Sequence, residues 1–512
     1  MISKVISGAL FGLEGYIITV ETDIYSALPG IDIVGLPDAA VKESKERVKS
    51  AIKNSGYSMP QKRIVINLAP ANTKKNGAYL DLPITIAILI ASGQLVCDGV
   101  CDYLILGELA LDGSIRKADG VLPMTMEARE NGIKKLIVPM ENAKEASVVA
   151  DSEIYGAGTL REAVEHLSGI KPIERVTTDI DSLFAQNLDL MEDFCDVRGQ
   201  DSAKRALEVA AAGAHNCLMI GSPGSGKTML AKRIPSILPD LSFEEALEVT
   251  KIYSVAGLMG GGKSLITTRP FRSPHHTVSN VSITGGGSIP RPGEISLAHR
   301  GVLFLDEFPE FRKDAIEAMR QPLEDGMFTV SRVAGSATFP SSAMLVASMN
   351  PCKCGYYGDS ARECTCTPQS IHSYLGKISG PMLDRFDIHI QVSSVKFESL
   401  TSGEKGESSK TIKERVKRAR EIQLERYKNY NIYSNSQLTA SMIEEFCRVD
   451  ERGNALLKDV FEKLGLSARA HSRILKVART IADIAGEKDI SPLHIAEAIR
   501  YRSLDKKFWG AI

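Results

Sequence analysis

The segment from Gly221 to Thr228 reads Gly-Ser-Pro-Gly-Ser-Gly-Lys-Thr and directly follows an apolar run. Glycines at these positions let successive backbone N–H groups turn toward a polyphosphate. Lys227 has the length to reach β- and γ-phosphates, and Thr228 can offer its hydroxyl to Mg²⁺. The spacing therefore predicts a phosphate-binding loop whose members are Gly221, Ser222, Pro223, Gly224, Ser225, Gly226, Lys227 and Thr228.

Two further apolar runs end in polar side chains. Gly301 to Leu305 is followed by Asp306 and Glu307, and Ala343 to Met349 is followed by Asn350. We expect Asp306 and Thr228 to hold Mg²⁺, and Glu307 to polarise the attacking water as a general base or positioning group. The amide of Asn350 could orient water beside the γ-phosphate. Alternatively, Asn350 is a turn residue that precedes Pro351.

These side chains need elements that bring them together. Residues 195–395 alternate apolar strands with helices, which predicts a parallel sheet with the ligand at the carboxyl ends of its strands. Residues 1–168 form a separate α/β block, with a strand pair at 5–10 and 15–21 and helices at 39–54 and 82–92. Residues 169–194 are predicted as a linker, 399–410 as a flexible spacer, and 411–512 as a helical domain.

Composition excludes several classes of protein. The 512 residues carry a net charge of −1 and are 43% hydrophobic, so the bulk charge attracts neither nucleic acid nor membrane. The longest apolar stretch, 82–96, is interrupted and too short for a membrane span. We therefore expect a cytoplasmic protein without a membrane partner, in which polyanion binding depends on local basic groups.

Four of the nine cysteines cluster as Cys352, Cys354, Cys364 and Cys366. Two close pairs joined by a short loop can form a tetrahedral thiolate site, for which Zn²⁺ is the natural occupant. Four protein ligands leave no open position, so the predicted zinc role is structural. The alternative is four unpaired thiols on a polar loop.

Strands that end in Gly-Lys-Thr, Asp-Glu and Asn, followed by a helical lid, resemble the AAA+ ATPases. The resemblance implies ATP and Mg²⁺ as cofactors. The segment Gly380 to Asp387 is similar to the arginine-finger segment of the magnesium-chelatase and MCM branch, which implies that Arg385 reaches the γ-phosphate of a neighbouring subunit. A plain surface ion pair is the alternative. In the lid segment 466–473, Arg469 or Arg473 is implied to be a second sensor of the γ-phosphate, and the spacing to Arg479 favours Arg469.

The whole chain resembles the ComM/YifB magnesium-chelatase-like ATPases. The segments that carry this resemblance are 41–48 (Val-Lys-Glu-Ser-Lys-Glu-Arg-Val), 67–71 (Asn-Leu-Ala-Pro-Ala), 272–277 (Arg-Ser-Pro-His-His-Thr), 350–352 (Asn-Pro-Cys) and 477–483 (Val-Ala-Arg-Thr-Ile-Ala-Asp). The family implies an ATP-driven homo-oligomeric ring, expected to be hexameric, that acts on DNA. The implied activity is that of a branch-migration helicase in homologous recombination and natural transformation. The alternative is a chelatase-like motor for metal insertion or protein remodelling.

The N-terminal block resembles the Lon-protease domain, which has a ribosomal-S5-like fold. Lon cleaves with a Ser–Lys pair. The corresponding turn, residues 74–83, contains no serine, and the stretch that would supply the lysine carries Pro123. We therefore expect no peptidase activity from this domain.

The long insertions between the phosphate loop and Asn350 are expected to form hairpins that face the ring pore. One is centred on Gly285 to Gly287, and the other spans Phe328 to Phe339 with Arg332 near its tip. Basic groups there could grip DNA, because each is multiplied around the ring. His275 and His276 are expected on opposite faces of a strand, which disfavours a metal pair.

Overall fold

The computed structural model describes residues 2–71, 73, 75, 77–185, 192–260, 262–287, 290–332, 335–359, 362–394, 406–464 and 468–509. Lys74, most of the predicted spacer at 399–410, and the first two residues of the lid segment 466–473 lie outside the described residues.

An eight-stranded sheet forms the N-terminal part of the chain. Its strands lie in the order β10-β9-β8-β5-β1-β2-β4-β3. Strands β1 and β2 pair antiparallel, as the sequence predicted, while β5, β8 and β9 run parallel to one another. The strands of this sheet are β1 Ile2–Phe11, β2 Glu14–Tyr25, β3 Gly30–Val34, β4 Arg63–Ala69, β5 Tyr103–Ile105, β8 Lys135–Pro139, β9 Glu153–Ala157 and β10 Arg175–Val176. A separate two-stranded sheet consists of β6 Glu108–Leu109 and β7 Ile115–Arg116.

Two predicted helices cover this sheet. The helix Ala39–Asn54 begins where the Asp38 side chain accepts a hydrogen bond from the backbone N–H of Val41. The helix Asp81–Ala91 is buried along almost its whole length, which explains its continuous apolar sequence. The other α-helices here are Val121–Glu130, Ala143–Ala146, Leu160–Leu167 and Ile180–Ala185.

The segment predicted as a linker carries regular structure in its first half. Strand β10 pairs antiparallel with β9, and the helix Ile180–Ala185 follows. Residues 186–191 lie outside the described part of the chain. β10 lies at the edge of the sheet, where Arg175 is exposed and Val176 packs against the apolar core.

A five-stranded parallel sheet, ordered β12-β15-β18-β11-β19, forms the second core. Its register pairs Ile220 with Met349 and Leu305 with Ala347, so three strands end at one edge. The strands are β11 Cys217–Ile220, β12 Phe271–Arg272, β15 Val302–Leu305, β18 Met344–Met349 and β19 Ile388–Gln391. The α-helices of this part are Asp201–Gly213, Lys227–Ile237, Phe243–Val255, Asn280–Thr284, Glu294–Leu297, Lys313–Ala318, Arg320–Asp325, Pro368–Leu375 and Gly380–Leu383.

Two hairpins interrupt this core, in agreement with the sequence prediction. They consist of β13 Gly285–Gly286 with β14 Arg291–Pro292, and of β16 Met327–Arg332 with β17 Gly335–Pro340. Arg332 joins the hairpins, because its Nε donates a 3.2 Å hydrogen bond to the carbonyl of Gly287. Phe11 at the end of β1 and Leu13 in the turn after it belong to one apolar cluster with Val330 and Phe339 of the second hairpin.

The C-terminal part is helical, as predicted, and packs against the parallel sheet through one shared apolar cluster. Its α-helices are Ser409–Arg426, Ala440–Phe446, Glu451–Leu464, Ala468–Ala485, Pro492–Arg500 and Ser503–Trp509. Within the described ranges, no helix has both the length and the apolar character that crossing a membrane requires.

Candidate nucleotide-binding site

The phosphate-binding segment joins β11 to the helix that begins at Lys227. Gly226 precedes this helix with φ of 90°, a left-handed conformation that favours glycine. Nζ of Lys227 donates hydrogen bonds to the carbonyls of Gly221 at 2.7 Å and Ser222 at 3.0 Å. Burial lowers the pKa of Lys227. The loop thus holds one cation beside a helix amino terminus.

The ends of β15 and β18 meet this loop. The Thr228 hydroxyl donates a 2.7 Å hydrogen bond to Oδ2 of Asp306, and Nζ of Lys227 lies 3.2 Å from Oδ1 of Asn350. The structure therefore brings Lys227, Thr228, Asp306 and Asn350 together, as the sequence predicted. A hydroxyl beside a carboxylate is a donor set that suits Mg²⁺.

Ser348 and His276 also belong to this edge of the sheet, although the motifs did not indicate them. The Ser348 hydroxyl donates to Oδ1 of Asp306. Nδ1 of His276 lies 3.7 Å from Oε2 of Glu307, whose backbone is left-handed with φ of 52°. Strand alternation gave no signal for Ser348, because every residue of β18 is buried.

The prediction that His275 and His276 lie on opposite faces of a strand is wrong. Strand β12 ends at Arg272, and both histidines lie in the loop that follows. Their ring centroids are 4.1 Å apart. Pro274 has no N–H for a strand ladder, which explains why the strand does not continue.

Arg385 lies at the other edge of the sheet. It precedes β19, and the register places Ile388 beside Cys217, the first residue of β11, whereas the phosphate loop follows the last. The paired strands alone span about 13 Å at the usual rise per residue. The Arg385 guanidinium pairs with Glu324 of its own chain. The structure does not bring Arg385 to the phosphate loop of the same chain.

The two lid arginines lie at the same edge as Arg385. Nη1 of Arg473 is 3.1 Å from Oδ1 of Asp384, and Nη1 of Arg469 is 3.5 Å from Oδ2 of the same residue. The Arg473 side chain is 12% exposed and the Arg469 side chain 69% exposed. Neither arginine is placed at the phosphate loop of its own chain.

Comparisons with known proteins agree with this architecture. Residues 193–400 match the family described as magnesium chelatase, subunit ChlI; residues 20–142 match subunit ChlI of Mg-chelatase; and residues 406–502 match the C-terminal family of that subunit. The competence protein ComM of Haemophilus influenzae is 43% identical over 98% of this chain and 97% of its own length. The chain belongs to the ComM/YifB family of magnesium-chelatase-like AAA+ proteins.

Two further relatives match this ComM/YifB chain at high and at low identity. The uncharacterized protein YifB of Escherichia coli is 44% identical over 99% of this chain and 98% of its own length. The chloroplastic magnesium-chelatase subunit ChlI of Nicotiana tabacum is 22% identical over 64% of this chain and 78% of its own length. The predicted fold class, an α/β chain with a parallel-sheet AAA+ core and a helical C-terminal region, is confirmed.

The four clustered cysteines of this ComM/YifB chain converge. Their sulfur atoms all lie within 4.8 Å of one another, and three of the Sγ–Sγ distances are 3.3, 3.5 and 3.6 Å. Four sulfurs at about 2.3 Å from a tetrahedral zinc ion lie about 3.8 Å apart, so the donor set fits this metal. A hydrogen bond from the backbone N–H of Tyr356 lowers the pKa of Cys354 to about 5. Cys354 is therefore the most readily deprotonated of the four thiols.

A buried acid begins the helix Asp81–Ala91. Asp81 is fully buried and accepts a 2.7 Å hydrogen bond from Nε of Arg47. Burial raises its pKa to about 6 despite this partner. Nearby, the buried Lys75 amine donates to the carbonyl of Pro70. Asp81 is thus paired with Arg47, and Lys75 is paired with a backbone carbonyl.

Gln200 and His215 are further polar residues that sequence reasoning missed. Nε2 of Gln200 donates a 3.2 Å hydrogen bond to the carbonyl of Ser225, within the phosphate loop. The His215 ring bridges Asp387 at 3.0 Å and Thr480 at 2.8 Å, and so joins the sheet to the C-terminal helices. The backbone of Gln200 is left-handed. Glutamine rarely adopts this conformation, so the residue type does not predict it.

Proposed function

We propose that the chain is an ATPase whose active site is shared between neighbouring subunits of a ring. Lys227 and the backbone of the phosphate loop would bind the β- and γ-phosphates, and Thr228 and Asp306 would hold Mg²⁺. Bound Mg²⁺ would neutralise charge that develops on the phosphates. Glu307 would orient and deprotonate the attacking water, with Asn350 as its positioning partner.

The observation that carries the proposal is the separation of Lys227 from Arg385. The phosphate loop follows the last residue of β11, whereas Arg385 precedes β19, which is paired with β11 along its whole length. A head-to-tail arrangement of copies brings opposite edges of the same domain together, and it generates a ring when the rotation closes. Arg385 of one copy would then complete the site of the next. Exposed Arg469 lies at the same edge and is the lid arginine better placed to reach a neighbour. Six copies would form the hexameric ring that we propose.

We propose DNA as the substrate of the motor, with branch migration as its activity. Support comes from the family relation to a competence protein and from the hairpins, where Arg291 and Arg332 are exposed. The insertion that holds the first hairpin has two more arginines, Arg269 and Arg272. We do not assign them to DNA, because Arg269 pairs with Glu245 at 2.9 Å and Arg272 with Glu294 at 2.7 Å. A few exposed cations per subunit suffice when the ring multiplies them.

We propose zinc as the occupant of the four-cysteine site. The set of four sulfur donors and the separations between them support this choice. All four positions would be taken by protein sulfur, which indicates a structural ion. ATP and Mg²⁺ at the phosphate loop and Zn²⁺ at the cysteines are thus the proposed cofactors.

The direct test compares the wild-type protein with Lys227→Ala and Glu307→Gln in ATPase and branch-migration assays. We expect DNA to stimulate wild-type hydrolysis and both variants to lose hydrolysis and branch migration. Glu307→Gln should still bind ATP, whereas Lys227→Ala should not. Lys232→Ala, an exposed position on the same helix, is the matched control. Equal DNA remodelling by all three proteins would refute the motor.

A further inference from the structure

The four-cysteine loop begins two residues after Asn350, at the edge of the sheet where the phosphate loop lies. Cys352 is fully buried, and its carbonyl accepts a 3.0 Å hydrogen bond from the backbone N–H of Gly355. The described residues of the loop, 352–359 and 362–366, contain neither helix nor strand. The shape of this segment therefore depends on contacts other than a regular backbone ladder.

Gly355 touches the phosphate loop. A Cβ atom added to this glycine would lie 2.5 Å from Cδ and 2.7 Å from Cγ of Pro223, distances that real Cβ atoms essentially never show. The backbone of the cysteine loop is therefore in direct contact with the proline ring at the turn of the phosphate loop. Pro223 is the third residue of the eight that bind phosphate in our proposal.

The C-terminal helix Ser503–Trp509 supports the loop from its other side. The rings of Tyr357 and Phe508 lie 6.2 Å apart, and both residues line a small cavity together with Gly221 and Ser222. Nζ of Lys507 donates a 3.0 Å hydrogen bond to Oε1 of Gln391 at the end of β19. The cysteine loop is thus packed between the phosphate loop and the last helix.

We infer that a metal ion on Cys352, Cys354, Cys364 and Cys366 serves as a buttress of the ATP site, fixing both Pro223 and the strand end that carries Asn350. The inference rests on the proposed function and deepens it. Four thiolates bound to one ion cross-link a loop that has no ladder of its own, and this restraint passes to the phosphate loop through the Gly355–Pro223 contact. Loss of the ion leaves the ATP-binding residues in place but loosens their support.

The test measures the affinity for a fluorescent ADP analogue and the bound metal by mass spectrometry, on the full-length protein. Gly355→Ala is the informative variant, because it keeps all four cysteines. We expect it to retain about one metal ion per chain and to bind nucleotide at least about tenfold more weakly. Gly358→Ala is the matched control: Gly358 also has positive φ, but an added Cβ would meet only Lys507 at an ordinary 3.5 Å. It should match the wild type in both readouts.

A second arm removes the metal from the unaltered sequence. Chelation of the wild-type protein should lower its metal content and its nucleotide affinity together, and so should the substitution Cys354→Ser. Added Zn²⁺ should restore the affinity of the chelated wild-type protein but not that of Cys354→Ser. Metal-free wild-type protein or a folded Gly355→Ala variant that binds nucleotide normally would overturn the buttress. A different result would contradict the proposed ATPase function itself. That result is metal-loaded wild-type protein that binds nucleotide no better than Lys227→Ala.

Discussion

Nζ of Lys227 donates a 3.2 Å hydrogen bond to Oδ1 of Asn350. This contact joins the phosphate loop after β11 to the end of β18, two segments separated by more than a hundred residues of insertions and helices. The same amine also donates to the carbonyls of Gly221 and Ser222, so it is surrounded by oxygen atoms. A phosphate that replaces one of these oxygens would be contacted by the lysine and would lie beside the amide.

Asn350→Ala tests the amide's role. We expect nucleotide affinity to change little, because Lys227 and the loop backbone provide most of the binding. Turnover should fall by about a hundredfold, since misplacing a reacting water by about 1 Å costs that much. Equilibrium nucleotide binding and steady-state hydrolysis separate the two effects. Asn54→Ala, whose amide bonds the carbonyl of Leu111 in the N-terminal domain, is the control. Unchanged turnover would contradict the catalytic role and support the alternative that Asn350 is a turn residue.

Ser348→Ala tests the partner that orients the metal ligand. The Ser348 hydroxyl donates to Asp306 and fixes the carboxylate that we expect to hold Mg²⁺. Loss of such a partner typically costs about 10- to 100-fold in metal affinity. The Mg²⁺ concentration at half-maximal hydrolysis should rise by that factor. Ser7→Ala, also fully buried but in the N-terminal sheet, should leave it unchanged. A Mg²⁺ dependence equal to that of the wild type would contradict this assignment.

His276→Ala tests the contact at Glu307. The Glu307 side chain is 60% exposed and His276 is 3.7 Å away, so the pair is a partly solvated one. Such pairs contribute at most about 1 kcal/mol, and we therefore expect turnover to fall only about two- to fivefold. Nucleotide affinity should not change. His372→Ala, at an exposed helix position, controls for the loss of an imidazole. A loss of a hundredfold or more would show that His276 takes part in the chemistry directly.

Asp81→Asn tests the pH dependence of stability. Burial raises the pKa of Asp81 from 3.8 to about 6, so in this interval the folded state binds more protons than the unfolded state. Stability from this group is therefore greatest at low pH and is lost as pH rises through about 4 to 6. The variant lacks this pH-dependent contribution to stability. When the pH is lowered from 6.5 to 4.5, its melting temperature should therefore rise less, or fall more, than that of the wild type. Comparison of melting at pH 4.5 and 6.5, with exposed Asp98→Asn as control, measures the effect. An unaltered pH profile would contradict it.

Much of the site could be predicted from the sequence, because its residues directly follow apolar strands. Carboxyl ends of parallel strands meet at one edge of a sheet, and this rule predicts that Lys227, Asp306 and Asn350 lie together. Helix length and apolar content likewise predicted the helix Asp81–Ala91. These features are local, so short segments of sequence carry them.

Features that depend on tertiary contacts could not be predicted. Ser348 lies within a buried strand. Its place in the site depends on the hydrogen bond to Asp306, which the pattern of the strand sequence does not indicate. His276 reaches Glu307 because the chain leaves the sheet at Pro274, and the Gly355–Pro223 contact joins loops that are remote in sequence. The pairing of β10 with β9, inside the segment predicted as a linker, could not be predicted for the same reason, since it depends on a partner strand rather than on the sequence of β10.

The shared active site is the central claim, and mixing two inactive variants tests it most directly. Lys227→Ala lacks the phosphate contact and Arg385→Ala lacks the guanidinium, whose removal from such sites costs about 10³-fold or more in turnover. In co-assembled rings, an Arg385→Ala subunit keeps its phosphate loop and can receive Arg385 from a Lys227→Ala neighbour. We predict that an equal mixture recovers hydrolysis at about a quarter of its junctions, as random head-to-tail assembly allows. A mixture that co-assembles but stays as inactive as either variant alone would contradict a site shared between subunits.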